Sequence, residues 1–246
     1  MMAGRARLAR YALYQGRDFA VQRGVPILIV GALLLLLSVE GARAWRGAGG
    51  AGGAAELARA SLAALLDVFA PTATLLAVNG IVSNDRRRRF YRLLFAKPVS
   101  LSRYYVQAWL VSAAGTLVCA VLLLGAFALV VQPVFPPGAL LFVALYFLLF
   151  GGLGFLLSAV TRHDWLALGL VWAMARLLRS LLPADASWYG RAIDLLLPPL
   201  HVLEALGGPL VHGEPVPGAG CAWIVAYGVA SLALGSIIVR RRPLAS

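Results

Sequence analysis

The sequence predicts an all-α integral membrane protein with six membrane-spanning helices and a single domain that covers residues 1–246. The first observation is composition, because 61% of the residues are hydrophobic and only 13% are charged, whereas soluble domains carry about 25% charged residues. The mean hydropathy is +0.84. The second observation is distribution, because the apolar residues are gathered into six runs whose lengths approach the ~20 residues that an α-helix needs to cross a bilayer.

The apolar runs give the predicted spans. They lie at residues 25–42, 60–82, 104–131, 139–160, 165–182 and 221–239. Small residues predict helix packing in two of them. Ser231 and Gly235 in the last span predict close approach of a neighbouring helix, and Gly151, Gly152 and Gly154 in the fourth predict a flexible or tightly packed point.

The distribution of basic residues predicts that both termini are cytoplasmic. With that orientation, sixteen arginines and lysines fall in cytoplasmic segments and three or four fall outside. Loops that retain positive charge stay on the cytoplasmic side of a membrane. The arginine-rich stretch at residues 83–103 is therefore predicted on the inner side of the membrane, which we expect to be a bacterial-type plasma membrane.

The first 24 residues predict an interfacial helix that precedes the first span. Leu8, Tyr11 and Phe19 fall on one helical face, and Arg10 and Arg17 fall on another. A basic amphipathic helix of this kind can lie at the inner membrane surface. The alternative interpretation is a plain positive flank of the first span.

The segment at residues 183–220 is too long for an ordinary connection between two helices. It contains two short apolar pieces that meet at Pro198 and Pro199. Broken helices of this kind are tolerated at membrane depth where protein surrounds them. We therefore expect two re-entrant half-helices on the outer side, before the last span.

The stretch SNDRRRRFYRLLFAKPVSLS begins at Ser83, and its pattern predicts a short helix followed by a turn. Phe90, Leu93 and Leu94 fall on one face of that helix. Pro98 ends it, because the residue before proline avoids the α region. Ser100 or Ser102 can then cap the third span.

Several functions can be considered for this arginine-rich stretch. Lys97 is the only lysine and no glycine-rich turn precedes it, which excludes an ordinary P-loop ATPase. Nucleic acid is a poor ligand, because no separate soluble domain presents the arginines. An anchor for anionic lipid explains the charge. A docking surface for a cytoplasmic protein explains both the charge and the apolar ridge.

The residues from Gly80 to Trp109 carry a resemblance to a known family. Their sequence GIVSNDRRRRFYRLLFAKPVSLSRYYVQAW resembles the type 2 ABC-transporter (ABC-2) permeases. In that family a glycine-containing turn ends the second span. A short charged helix, a leucine pair and a Pro-Val-Ser turn then lead into the third span. The predicted order of helices agrees with the family over the whole chain.

The resemblance implies a permease subunit of an export-type ABC transporter. Such a subunit pairs with a second permease copy or a related permease, and each docks on a separate ABC ATPase. ATP and Mg²⁺ bind to that ATPase, so this chain would need no cofactor and would catalyse no reaction. The implied ATPase-coupling residues are Arg89, Arg92, Leu93, Leu94, Phe95, Lys97, Pro98 and Ser100.

Three ionisable residues inside the predicted spans are candidates for function, namely Asp67 in the second span and Arg176 and Arg179 in the fifth. Asp67 and Arg176 lie at similar depths, which suggests that they pair. In the alternative, both arginines extend outward to water and Asp67 faces a water-filled groove.

Neither a catalytic nor a metal site emerges from the sequence. His201 and Glu204 share a helical face, but two ligands are too few for a metal site. Cys119 and Cys221 lie within apolar runs and are expected to be buried free thiols. A membrane scaffold or assembly factor, and a membrane-embedded enzyme, remain the alternatives to the permease.

Overall fold

The structure is a computed structural model that describes residues 2–47, 53–83, 100–131, 133, 135–161, 163–181 and 196–241. The described part of the chain contains α-helices and no β-strand. Its helices are α1 Met2–Phe19, α2 Val25–Gly47, α3 Ala54–Val78, α4 Leu101–Val130, α5 Pro137–Val160, α6 Asp164–Leu181, α7 Leu200–His212 and α8 Gly218–Arg241. The all-α prediction is confirmed for these residues.

Five helical stretches in the described residues are long and apolar enough to cross a membrane. They are Tyr11–Gly41, Glu56–Val78, Leu101–Val130, Pro137–Val160 and Gly218–Arg241. The fifth predicted span forms a helix too, α6, but its 18 residues include Asp164, Arg176 and Arg179. The chain is therefore compatible with a multi-pass membrane protein.

The first predicted helix and the first predicted span form one continuous helical rod. A π-helical turn, Ala20–Gly24, joins α1 to α2 without leaving the helical region of backbone space. Phe19 packs against Gly115 of α4, where any larger residue would collide with its ring. The segment at residues 1–24 is thus helical where it is described, and it packs beside α4 rather than standing apart.

Helix α5 is the centre of the bundle, because it packs against α3, α4, α6, α7 and α8. Its closest neighbour is α8. The backbones of Gly152 and Gly228 touch, and a Cβ on Gly228 would lie only 2.5 Å from the carbonyl oxygen of Leu148. A Cβ on Gly235 would lie 2.7 Å from the ring of Phe155. The prediction of close packing at Gly235 and at the α5 glycines is confirmed.

Helix α7 lies within the segment at residues 183–220, where the sequence predicts two half-helices. It begins directly after Pro199 and is packed against α3, α5, α6 and α8. The Tyr227 hydroxyl, nine residues into α8, donates to the carbonyl oxygen of Leu196. The segment that leads into α7 therefore lies beside α8, within reach of a side chain in the middle of that helix. The first predicted half-helix falls outside the described residues.

Candidate functional site

The end of α3 is held by side chains from other helices. Helix α3 stops at Val78, and Gly80 has a φ of +75°, a left-handed conformation that glycine adopts without strain. The turn directs the Gly80 N–H at Asp164 Oδ2, 3.0 Å away. Asp164 is only 3% exposed and opens α6, where its other oxygen accepts from the Trp165 N–H. Asp164 thus joins the end of α3 to the start of α6.

Ser158 of α5 holds the next two residues of the same turn. Its hydroxyl oxygen accepts hydrogen bonds from the backbone N–H groups of Val82 and Ser83, both at 3.1 Å. Ser158 and Val82 are fully buried, and Ser83 is 1% exposed. Since a buried backbone N–H without a partner is costly, this one hydroxyl satisfies two groups that the helix cannot.

Arg23 holds the end of α3 from the opposite side. Its Nη1 donates to the carbonyl oxygen of Ala77 at 2.7 Å and to the Ser112 hydroxyl of α4 at 3.2 Å. Ala77 lies in the last turn of α3, where carbonyl groups lack partners within the helix and a positive charge is favourable. We call Arg23, Ser158 and Asp164, which bind the turn at residues 77–83, the clasp.

The clasp flanks the arginine-rich segment on one side, and α4 begins on the other. Ser100 is the N-cap of α4, because its hydroxyl accepts the Arg103 N–H at 3.4 Å. Arg240 near the end of α8 donates to the Ser102 hydroxyl at 3.1 Å. The cap predicted at Ser100 is confirmed. The other predicted coupling residues lie outside the described part of the chain: Arg89, Arg92, Leu93, Leu94, Phe95, Lys97 and Pro98.

A second group of polar residues lies about 18 Å from the clasp, since Arg176 follows Asp164 by twelve residues in α6. The Arg176 side chain binds Glu204 Oε1 of α7 through Nε at 2.9 Å and through Nη2 at 2.5 Å. Its guanidinium carbon lies 4.7 Å from the centre of the Trp172 ring. The Trp172 N–H donates to the Tyr146 hydroxyl of α5 at 3.1 Å. We call Asp67, Tyr146, Trp172, Arg176 and Glu204 the polar cluster.

Asp67 does not form the predicted pair with Arg176, whose guanidinium binds Glu204 instead. Asp67 faces the same region, because a Cβ on Gly207 of α7 would lie 3.5 Å from Asp67 Oδ1. The prediction failed because it compared only residues inside the predicted spans, whereas α7 brings Glu204 beside Arg176. Arg179 lies in α6, three residues further along that helix.

The polar cluster lies on the side of the bundle rather than within it. The side chains of Arg176 and Glu204 are 53% and 38% exposed. The polar cluster contains two carboxylates, of Asp67 and Glu204, and one guanidinium, of Arg176. These three side chains together carry a formal charge of −1. Charged groups at membrane depth are costly unless they pair or meet water, so this surface is suited to a polar environment.

Neither place has the composition of a metal centre. No group of three or more His, Cys, Asp and Glu side chains forms among the described residues. His201 and Glu204 do share the first turns of α7, as the sequence indicates. Both cysteines are free, with Cys119 buried and Cys221 partly buried. The described side chains of the clasp and the polar cluster can form and exchange polar contacts. Among them we find no assembled set of catalytic groups.

The residues that were not predicted had only partial signals in the sequence. Gly80 followed an apolar run, which predicts a turn, and Asp164 preceded one, which suits the start of a helix. Nothing in the pattern indicated that Arg23 and Ser158 would meet that turn, since they are more than 50 residues from it in sequence. Comparison with known proteins adds no constraint, because no protein-family model and no curated protein matches the chain.

Proposed function

We propose that this chain is the permease subunit of an ABC-2-type transporter. In this proposal α6 is the fifth of six spans, both termini are cytoplasmic, and the segment at residues 183–220 is re-entrant. A second permease copy or a related permease completes the translocation path. A separate ABC ATPase binds ATP and Mg²⁺ and docks on residues 84–100. The membrane is a bacterial-type plasma membrane.

The observation that carries this proposal is the clasp. A docked ATPase would push or pull the segment that follows the turn, after Ser83. The turn at residues 77–83 is hydrogen-bonded to α5 through Ser158, to α6 through Asp164, and to the α1–α2 rod through Arg23. Packed helices joined in this way move as units rather than deforming smoothly. A displacement of the segment would therefore reach four helices of the bundle together.

The polar cluster supports the second half of the proposal, a polar path beside the bundle. Asp67 lies on α3 and Arg176 on α6, the second and fifth spans, which line the path in the family that the sequence resembles. Both residues are exposed on one side of the bundle. Ionisable residues at membrane depth mark substrate and ion pathways more often than structural sites.

The proposal is tested by purification of the tagged chain in mild detergent, with identification of the proteins that accompany it. We expect an ATPase subunit to accompany the native chain and to be lost from an Arg92→Glu, Leu94→Glu variant. The control is Arg59→Glu, which makes the same charge change as Arg92→Glu alone but in α3, near its other end. The control should keep the ATPase.

The same preparation separates docking from coupling. A Ser158→Ala variant leaves residues 84–100 unchanged, so the ATPase should still accompany it. Its ATP hydrolysis should no longer respond to the permease as it does in the native complex. Absence of any ATPase from native chain and variants alike would overturn the permease proposal, and a scaffold or a membrane enzyme would then be favoured.

A further inference from the structure

A groove lies between α1 and the first turns of α4, separate from the clasp and the polar cluster. It encloses about 500 Å³ and is open to the outside. Tyr11, Tyr14, Arg17, Asp18 and Tyr104 are among the residues that line it. The Tyr11 and Tyr104 rings meet edge to face with their centres 6.2 Å apart, which fixes one wall. The groove is thus a defined cavity lined by aromatic and charged side chains.

The position of the groove matches the headgroup region of a bilayer. It lies at the start of α4, the end of the bundle that also carries Arg103, Arg240 and Arg241. Tyrosine is enriched at membrane–water interfaces, where its ring is apolar and its hydroxyl is wet. The same rod exposes a row of apolar side chains next to the groove, with Leu13 75%, Val21 68% and Val25 51% exposed. An acyl chain can lie along that row while its headgroup occupies the groove.

The charges in the groove form a complementary pair rather than a positive patch. Arg17 is exposed and makes no hydrogen bond or ion pair with the described part of the chain, so its guanidinium is available to a phosphate. The Asp18 carboxylate accepts a hydrogen bond from Gln22 through Oδ1. Its Oδ2 atom is left for another donor. One cation and one anion on consecutive residues therefore face the same space.

We propose that this groove binds the headgroup of a zwitterionic phospholipid that carries a primary ammonium, as in phosphatidylethanolamine. The phosphate meets Arg17, and the ammonium donates to Asp18. A purely anionic headgroup such as phosphatidylglycerol satisfies Arg17 but places no cation against Asp18. A quaternary ammonium has no N–H to donate, so phosphatidylcholine satisfies the carboxylate less well. The bound lipid would fix the α1–α2 rod against α4 beside the clasp residue Arg23.

The test uses the purified full chain in detergent micelles. Its melting temperature is measured with matched amounts of phosphatidylethanolamine, phosphatidylcholine, phosphatidylglycerol or inorganic phosphate. We expect phosphatidylethanolamine to raise the melting temperature most. Equal or greater stabilisation by phosphatidylglycerol or phosphatidylcholine would overturn the proposal. Equal stabilisation by inorganic phosphate would show that the groove binds a free anion, and would overturn it as well.

Three variants locate the effect. Arg17→Gln should weaken the binding of all three phospholipids by about fivefold, the upper range for an exposed ion pair. Asp18→Asn should abolish the preference for phosphatidylethanolamine over phosphatidylglycerol while binding itself remains. Arg59→Gln removes an exposed arginine near the other end of the bundle and should behave as the native chain does. A lipid preference that survives in both Arg17→Gln and Asp18→Asn would overturn the assignment to this groove.

Discussion

The clasp and the polar cluster use similar side chains in opposite ways. In the clasp, Ser158 and Asp164 are almost fully buried and each accepts hydrogen bonds from backbone N–H groups. In the polar cluster, Arg176 and Glu204 are partly exposed and bind each other. The clasp therefore holds a particular backbone shape, whereas the polar cluster places charge on a surface. Removing a side chain from the clasp should lower the stability of the fold. Removing one from the polar cluster should mainly change the interactions made at that surface.

The largest effect is expected at Ser158. Ser158→Ala leaves the buried N–H groups of Val82 and Ser83 without an acceptor, and each such loss costs about 1–3 kcal/mol. We expect the free energy of unfolding to fall by about 3 kcal/mol, measured by titrating the purified chain with a denaturing detergent. Ser236→Ala is the control, because the Ser236 hydroxyl only donates to the Leu232 carbonyl one turn earlier. A similar loss in both variants would show that Ser158 has no special role.

The next effect is expected at Asp164, where the chemistry of the acceptor can be varied. Asp164→Ala removes the acceptor of the buried Gly80 N–H and should cost about 2 kcal/mol. Asp164→Asn keeps the size and one acceptor oxygen, so it should retain most of the stability. Melting temperatures of the two variants report the difference. If Asn is as damaging as Ala, the charge of Asp164 rather than its hydrogen bond supports the turn.

A smaller effect is expected at Arg23, because its side chain is only partly buried, unlike those of Ser158 and Asp164. Arg23→Met keeps the length of the side chain but removes the donor to Ala77, which should lower the free energy of unfolding by about 1.5 kcal/mol. Ser112→Ala removes only the longer of the two contacts and should cost less. Denaturing-detergent titrations of both variants measure these losses. A larger loss from Ser112→Ala than from Arg23→Met would contradict the role of Arg23 as the cap of α3.

The two regions also differ in how far the sequence could predict them. Apolar runs predicted the long helices, because burial of continuous apolar surface acts on every residue of a run. The cap at Ser100 was predictable, since a cap depends on residues three positions apart. The clasp was not, because Arg23, Ser158 and Ala77 meet only after the helices have packed. Such contacts depend on rotation and depth of each helix, which composition does not determine.

The ion pair of Arg176 with Glu204 also shows that the sequence does not determine which side chains meet after the helices pack. The place of Arg176 in a helix was predicted correctly, and a carboxylate partner was expected. The partner was assigned to Asp67 because that residue lies inside a predicted span at a depth similar to that of Arg176. Helix α7 instead packs against α3, α5 and α6 with Glu204 in its second turn. The packing of α7 against its neighbours was enough to exchange the partner.

The smallest effect on stability is expected at this pair, and charge exchange tests it. Arg176→Glu and Glu204→Arg each place like charges together and should lower the free energy of unfolding by about 1 kcal/mol, because exposed ion pairs contribute little. The double variant restores opposite charges and should recover most of the loss in melting temperature. The matched exchange of Asp67→Arg with Arg176→Asp should give no recovery, because Asp67 does not bind the guanidinium. Recovery of stability only in the exchange of Asp67 with Arg176 would show that Asp67 is the partner of Arg176. Single-variant losses of stability as large as those in the clasp would show that the polar cluster also stabilises the fold.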